Sequence, residues 1–289
     1  MSASSYYVPE KSYWPMVGCI ALTTMVLGFV NHLHGSELGW SFLLIGAGIL
    51  AFMMFGWFGT VVRESMAGLY DDQMDRSFRM GMIWFIFSEV MFFAAFFGAL
   101  FYARAYSVPW LGGAGNNAMT NAVLWPAFEA VWPLINMPNP EGYSVAEHVI
   151  GPWGLPAVNT ALLLSSGVTL TWAHHALKKE QRKQLIMGLF ATVLLGAIFM
   201  VVQITEYAHA MQDLNLNLSS GIYGSTFYML TGFHGFHVTV GAIMLTVMLV
   251  RSIKGHFTPE NHFAFEAVAW YWHFVDVVWL GLFVVVYWL

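Results

Sequence analysis

Glu89 is the only charged residue in the twenty-four positions between Arg79 and Arg104, in the stretch RMGMIWFIFSEVMFFAAFFGALFYAR. A helix of that length crosses a bilayer, and at about 1.5 Å per residue Glu89 lies roughly 15 Å from Arg79, close to where hydrocarbon is deepest. Insertion scales put a carboxyl at that depth at a cost on the order of 3 kcal/mol, so its neutral form is the default and it needs a reason to be there. The chemistry open to it is holding a proton, and depth selects the bases within reach. Measured from the same face, His237 lies roughly 21 Å deep and His273 roughly 16 Å deep, both within about a turn of Glu89. The expectation is a Glu89–His237 bond, with His273 as the second choice, and one proton shared by the pair. The plain alternative is a carboxyl that only hydrogen-bonds inside its own bundle.

Eleven histidines raise the question of metal or haem. His234 and His237 stand three apart, His174 and His175 close the fourth apolar run, and His273 precedes Asp276. A haem or copper site needs ligands converging from several helices, and no such set assembles from spacing. The reading is therefore no metal in this chain, with the histidines as interhelical hydrogen-bonding groups. Cys19 is the single cysteine, which excludes an internal disulfide, a thiolate iron–sulfur cluster and a two-cysteine copper centre.

A second constellation lies at helix ends. Arg63-Glu64 closes the second run, and Arg251, Lys254 and His256 close the sixth. Cations one turn apart at the end of a spanning helix sit at the level of phospholipid phosphates, where Arg251 and Lys254 can grip one headgroup while Trp57 lines the acyl region. Simple topological charge bias, with no particular lipid, explains the same residues.

These groups are positioned by helices that the composition makes membrane-embedded. The 289 residues are 58% hydrophobic and 9% charged, with mean hydropathy +0.62, against about a quarter charged in soluble domains. Seven apolar runs, near 15–33, 39–62, 80–103, 155–177, 185–207, 224–250 and 265–288, predict an all-α polytopic protein forming one membrane domain over 1–289. Ten Lys and Arg fall on the N-terminal side of these spans against Arg104 alone on the other. That asymmetry predicts an N-terminus facing the cytoplasm, or the matrix in an organelle, and, with an odd number of spans, a C-terminus on the opposite side. The opening MSASSYYVPEKSYWP has no signal-peptide pattern, so the first run is expected to persist. The stretch 105–154, with Trp125-Pro126, Trp132-Pro133 and Pro138-Asn139-Pro140, reads as an ordered outer loop. No nucleotide-binding motif or basic nucleic-acid-binding tract occurs.

On the third span, Ala94, Ala95, Gly98 and Ala99 form small-xxx-small spacings that predict the tight packing face. Met82, Phe85, Phe92, Phe93 and Phe96 surround Glu89, which is then expected to face a looser cleft, a lipid or a partner chain.

Several strings resemble one family. GIYGSTFYMLTGFHGFHV, RSIKGHF and NHFAFEAVAWYWHFVDVVWL, with GMIWFIFSEVMFF, VVRES and PAVNTALLLSSGVTLTWAHHAL, are similar to subunit III of haem–copper cytochrome c oxidase over nearly the whole chain. The resemblance implies two helices (about 15–62) and five (about 80–288) in a V, with phospholipids in the cleft. It implies no haem or copper in this chain, both lying in partner subunits. It makes subunit I the main contact, with subunit II beside it and cytochrome c reached only through the complex. It implies a non-catalytic core subunit of an aa3-type oxidase that braces the catalytic subunit and supports proton uptake. By matching motif, Glu89 is the carboxylate of the lipid cleft, and Trp57, Glu64, Arg251, Lys254 and His256 are headgroup positions. Trp57-Phe58 stands where animal members have a Trp pair, and Tyr70-Asp71 where they have a His pair. The outer loop, longer than in mitochondrial members, points to a bacterial inner membrane with a periplasmic C-terminus. The rival is an autonomous proton channel or transporter using Glu89, which requires further buried acids or water-lining polar residues at successive depths; only Asp276 with His273 offers anything similar.

Overall fold

The structure, a computed structural model, describes residues 11–289; the signal-peptide reading of residues 1–10 lies outside the described residues. Every regular element among the described residues is helical. Seven long helices correspond to the seven apolar runs: α1 Trp14–Leu33, α2 Leu38–Met66, α3 Asp72–Tyr102, α6 Leu155–Lys178, α7 Arg182–Gln212, α8 Gly221–Lys254 and α9 Phe263–Leu282. Two short ones, α4 Val108–Leu111 and α5 Ala118–Leu124, lie between α3 and α6. Six of the long helices are apolar and long enough to cross a membrane. The exception, α6, has 24 residues, a length of ~36 Å, but carries Asn159, Thr160, Ser166, Thr169 and Thr171. These residues lower its hydropathy, and their polar groups bond back to the helix or to neighbouring helices.

Several helices outrun the apolar stretches that predict them, because their polar ends are capped. The third starts at Asp72, eight residues before the apolar run. Asp71 Oδ1 accepts the Met74 N–H at 2.8 Å, and Asp75 pairs with Arg79 at 2.7 Å one turn on. At the start of α7, the Arg182 guanidinium donates to the Ile253 carbonyl in the last turn of α8, where a cation meets the negative end of the helix.

The chain divides into two compact units, Met1–Met80 and Gly81–Leu289. In the first, α1 and α2 form an antiparallel hairpin whose seam is glycine. A Cβ at Gly28 would lie 2.6 Å from the Leu43 nitrogen, and one at Gly39 2.5 Å from that of His32. The backbones approach too closely for any larger residue, and dispersion across that seam replaces the hydrophobic drive that lipid does not supply. Few side chains of the pair are buried, and Leu44 and Phe55 stand largely exposed on the outside, a surface suited to hydrocarbon.

In the second unit, α6 to α9 enclose Trp272, which is fully buried. Its ring lies between Gly196 of α7 and Gly241 of α8, where added Cβ atoms would each meet it at 2.8 Å, and its indole N–H donates to Ser166 Oγ at 2.8 Å. Trp279 makes the same kind of bond to Thr160 at 2.9 Å. A large apolar body with one satisfied polar edge suits an interior without water.

The segment 105–154 is tied down at several points. The Ser144 and Glu147 N–H groups donate to the Ser219 and Leu214 carbonyls, each at 3.0 Å, and Asn215 Nδ2 donates to the Val145 carbonyl at 2.9 Å. Within it Leu134, Ala146 and Ile150 are buried, and Arg104 lies over the Trp132 ring. The chain between α3 and α6 is thereby held against the α7–α8 connection.

Candidate functional site

Glu89, in the middle of α3, meets His237 of α8: Oε2 and Nε2 are 2.8 Å apart. The other ring nitrogen, Nδ1, is 2.6 Å from the Phe233 carbonyl one turn earlier. A carbonyl only accepts, so Nδ1 carries a hydrogen. Nε2 then either accepts from a protonated Glu89 or carries its own proton and donates to the carboxylate. Either way one proton lies between the two groups and the pair is neutral, which is what makes it tolerable inside a membrane.

The pair is held by aromatic rings. Phe93 and Phe92 lie 5.0 and 5.7 Å from the His237 ring, and Phe92 and Phe96 each lie 5.0 Å from Phe233. Tyr271 of α9 stacks on His237 at 6.4 Å. These rings overturn the expected packing of α3. Ala94, Ala95, Gly98 and Ala99 are exposed, with nothing within 4 Å of a Cβ placed at Gly98, while Phe93 and Leu100 are buried against the bundle. The aromatic face prevails because edge-to-face ring contacts and a charge-assisted hydrogen bond are available on that side. Glu89 thus points at its own bundle, with 22% of its side chain still exposed against 9% for His237.

His273 does not reach Glu89. Its Nδ1 is 3.4 Å from Asp276 on its own helix, its Nε2 is 3.5 Å from Thr171, and its side chain is largely outward. His234 also diverges from His237, donating from Nε2 to the Val275 carbonyl at 3.2 Å, so the two do not converge on a metal.

The expected headgroup residues fall in both units. In the first, Trp57 stacks on Phe58 at 6.3 Å, and Glu64 accepts a 2.7 Å bond from the Tyr70 hydroxyl. In the second, Arg251 is buried, with its guanidinium 4.5 Å from the Phe257 ring, and its Nε lacks a partner, as do Ser252 Oγ and His256 Nδ1. Lys254 is exposed beside them. Burial, with Arg251 and Lys254 adding to it, lowers the His256 pKa from the usual imidazole value and so favours its neutral form, which leaves Arg251 and Lys254 as the cationic donors at this end of α8.

Two clusters escape a reading by spacing. Glu206 of α7 is fully buried, accepting from the Tyr287 hydroxyl at 2.7 Å and from Gln203 Nε2 at 3.3 Å, while Gln203 Oε1 accepts from Asn159 at 3.1 Å. Asp276 with His273 is therefore not the only further buried acid. The available signal was Gln203 and Glu206, three apart near the end of an apolar run. The second cluster is His174, His262 and Glu266, whose ligating atoms all lie within 4.8 Å of one another.

A sequence profile described as cytochrome c oxidase subunit III matches residues 4–289. The chain is 41% identical over 284 residues to the cytochrome c oxidase subunit 3 of Marchantia polymorpha, covering 98% of this chain and 96% of the relative. It is 41% identical over 287 residues to that of Dugong dugon (98% and 97% covered), and 41% identical over 287 residues to that of Latimeria chalumnae (99% and 97% covered).

Proposed function

We propose the function from one premise: this chain belongs to the cytochrome c oxidase subunit III family. It is a non-catalytic membrane subunit of that oxidase, and the observation that carries this is a match running the length of the chain. The electron transfer from cytochrome c to oxygen, with its haem and copper, belongs to the partner subunits, and cytochrome c meets this chain only through the complex. Subunit I is the proposed main contact and subunit II the second. The exposed apolar surfaces of α1, α2 and α3 provide material for helix and lipid contacts.

Phospholipids are the proposed ligands of two residue sets, Trp57 and Glu64 on α2, and Glu89 on α3 with Arg251, Lys254 and His256 at the end of α8. The unpartnered Arg251 Nε supplies a hydrogen-bond donor of the kind a phosphate takes up. The ten-to-one distribution of Lys and Arg supports an N-terminus on the inner side of the membrane and a C-terminus on the outer side; the length of the outer loop favours a bacterial inner membrane over a mitochondrial one, with the C-terminus then periplasmic. On that orientation the histidines and acids at the inner ends of α6, α8 and α9 supply groups able to collect protons for uptake.

An autonomous channel through Glu89 is not favoured. The hydrogen-bonded path from Glu89 passes to His237 and ends on the Phe233 carbonyl, which passes no proton on. The test is to solubilise the native membrane gently, isolate this chain with its partners, and record optical spectrum, oxidase activity and phosphorus content. Copurification of haem, cytochrome c oxidation and lipid phosphorus is expected; a chain that isolates alone and conducts protons in liposomes would overturn the reading.

A further inference from the structure

A pocket of about 640 Å³ lies between the end of the 105–154 segment, the first turn of α6 and the last turns of α7. Its size falls within the roughly 300–1,000 Å³ of small-molecule sites. Val149, Ile150, Leu155 and Pro156 supply an apolar wall. Glu206, His209 and Asp213, all from the end of α7 and the residue after it, supply the titratable groups. No Lys or Arg is among the described residues that line it.

The three titratable groups differ in what they still lack. His209 and Asp213 are exposed at the mouth and satisfy each other, Nδ1 to Oδ2, at 2.7 Å. Glu206 is fully buried and so forms the floor. Its Oε1 accepts both the Tyr287 hydroxyl and the Gln203 amide, whereas its Oε2 has no partner. A buried carboxyl oxygen left without a donor costs about 1–3 kcal/mol, and more when the group is charged. An ammonium group entering the pocket supplies the missing donor and the missing positive charge together. Trp153, whose ring meets that of Trp288 at 5.2 Å, borders the same pocket and adds an aromatic surface that also favours a cation.

We propose that this pocket binds an organic ammonium ion with an apolar body, its cationic head toward Glu206 and its body along Val149, Ile150, Leu155 and Pro156. Glu206 lies six residues before Gln212, the last residue of α7, a depth of roughly 9 Å from the helix end. At that level a spanning helix passes from headgroups into hydrocarbon. The ammonium therefore has two sources of one chemistry, a free amphiphilic amine or the ethanolamine headgroup of a phospholipid.

The experiment places the full-length chain, with the subunits that copurify, in phosphatidylcholine nanodiscs and measures uptake of hexylammonium by equilibrium dialysis. Empty nanodiscs and hexanol serve as references for partitioning. Wild type is expected to take up one more hexylammonium per complex than Glu206→Gln or Ala208→Trp, with hexanol uptake alike in all three. Glu206→Gln removes the acid and should weaken binding roughly tenfold or more. Ala208→Trp fills the pocket from an exposed position of α7 with Glu206 intact, and it decides the matter where Glu206→Gln does not assemble. A diazirine-bearing hexylammonium photolysed on wild type should label residues within 149–156 or 205–214, a result that needs no variant to fold. Replacing part of the phosphatidylcholine with phosphatidylethanolamine separates the sources: displacement of hexylammonium assigns the headgroup, and unchanged binding assigns a free amine. Hexylammonium counts in either assembled variant equal to wild type would overturn the site, as would hexanol bound as tightly as hexylammonium or label confined to other segments.

Discussion

Glu89 and Glu206 are both carboxylic acids within apolar helices, yet the protein holds them in opposite ways. Glu89 faces a base: His237 at 2.8 Å, on a partly open flank walled by Phe92, Phe93 and Tyr271. Glu206 takes its hydrogen bonds from neutral donors, Tyr287 and Gln203, is fully buried, and leaves its Oε2 without a partner. A carboxyl beside a base has two neutral arrangements of one proton and can exchange between them at little cost. One surrounded by a hydroxyl and an amide has no base to give its proton to, and an ionised form would leave a bare buried oxygen. The first arrangement suits proton exchange or a polar ligand, whereas the second stitches α6, α7 and the C-terminal turn together through Asn159, Gln203, Glu206 and Tyr287.

Five substitutions break or sharpen that contrast. The largest effect is expected from Glu206→Ala, which opens a cavity and strands the Tyr287 hydroxyl and the Gln203 amide; about 2–4 kcal/mol should be lost in denaturant unfolding of the purified complex. A loss below 1 kcal/mol would mean that the network does not brace the bundle. His237→Leu comes next, because it leaves Glu89 without a base among aromatic rings; about 1–3 kcal/mol is expected in the same measurement. Tyr287→Phe removes one donor from Glu206 while preserving shape, so about 1–2 kcal/mol should go, with no change in proton-uptake rate.

The smallest structural effect is expected from Glu89→Gln, under about 1 kcal/mol, because the new amide donates to His237 Nε2 in place of the acid. Its signature is spectroscopic. Infrared difference spectra of the complex should lose a carboxyl or carboxylate band, and unchanged spectra with an unchanged fold would remove Glu89 as the proton holder. Glu206→Gln, by contrast, should leave proton-linked signals intact, since no base is hydrogen-bonded to it.

Much of the α3 site was legible because position along a membrane helix is a matter of counting. At about 1.5 Å per residue, Glu89 and His237 had to lie at similar depth whatever the packing. The rotation of α3 was not legible. Ala94, Ala95, Gly98 and Ala99 carried the usual close-packing pattern, but the helix packs with its phenylalanines and leaves the small residues outside. A spacing rule ranks faces by how closely backbones approach, whereas this contact is decided by ring geometry and one hydrogen bond. Glu206 stayed hidden for a related reason: its partner Tyr287 is 81 residues away, beyond any local pattern.

By itself the sequence determined an all-helical membrane protein, its seven long helices, the family and the depth of its central acid, since hydropathy, length and rise per residue need no neighbour to act. Only the tertiary structure decided which base that acid meets, which face of α3 is buried, and that His174 comes within 3.4 Å of His262 across 88 residues of chain. Those outcomes depend on how helices rotate against one another, which side-chain packing fixes and no single helix specifies.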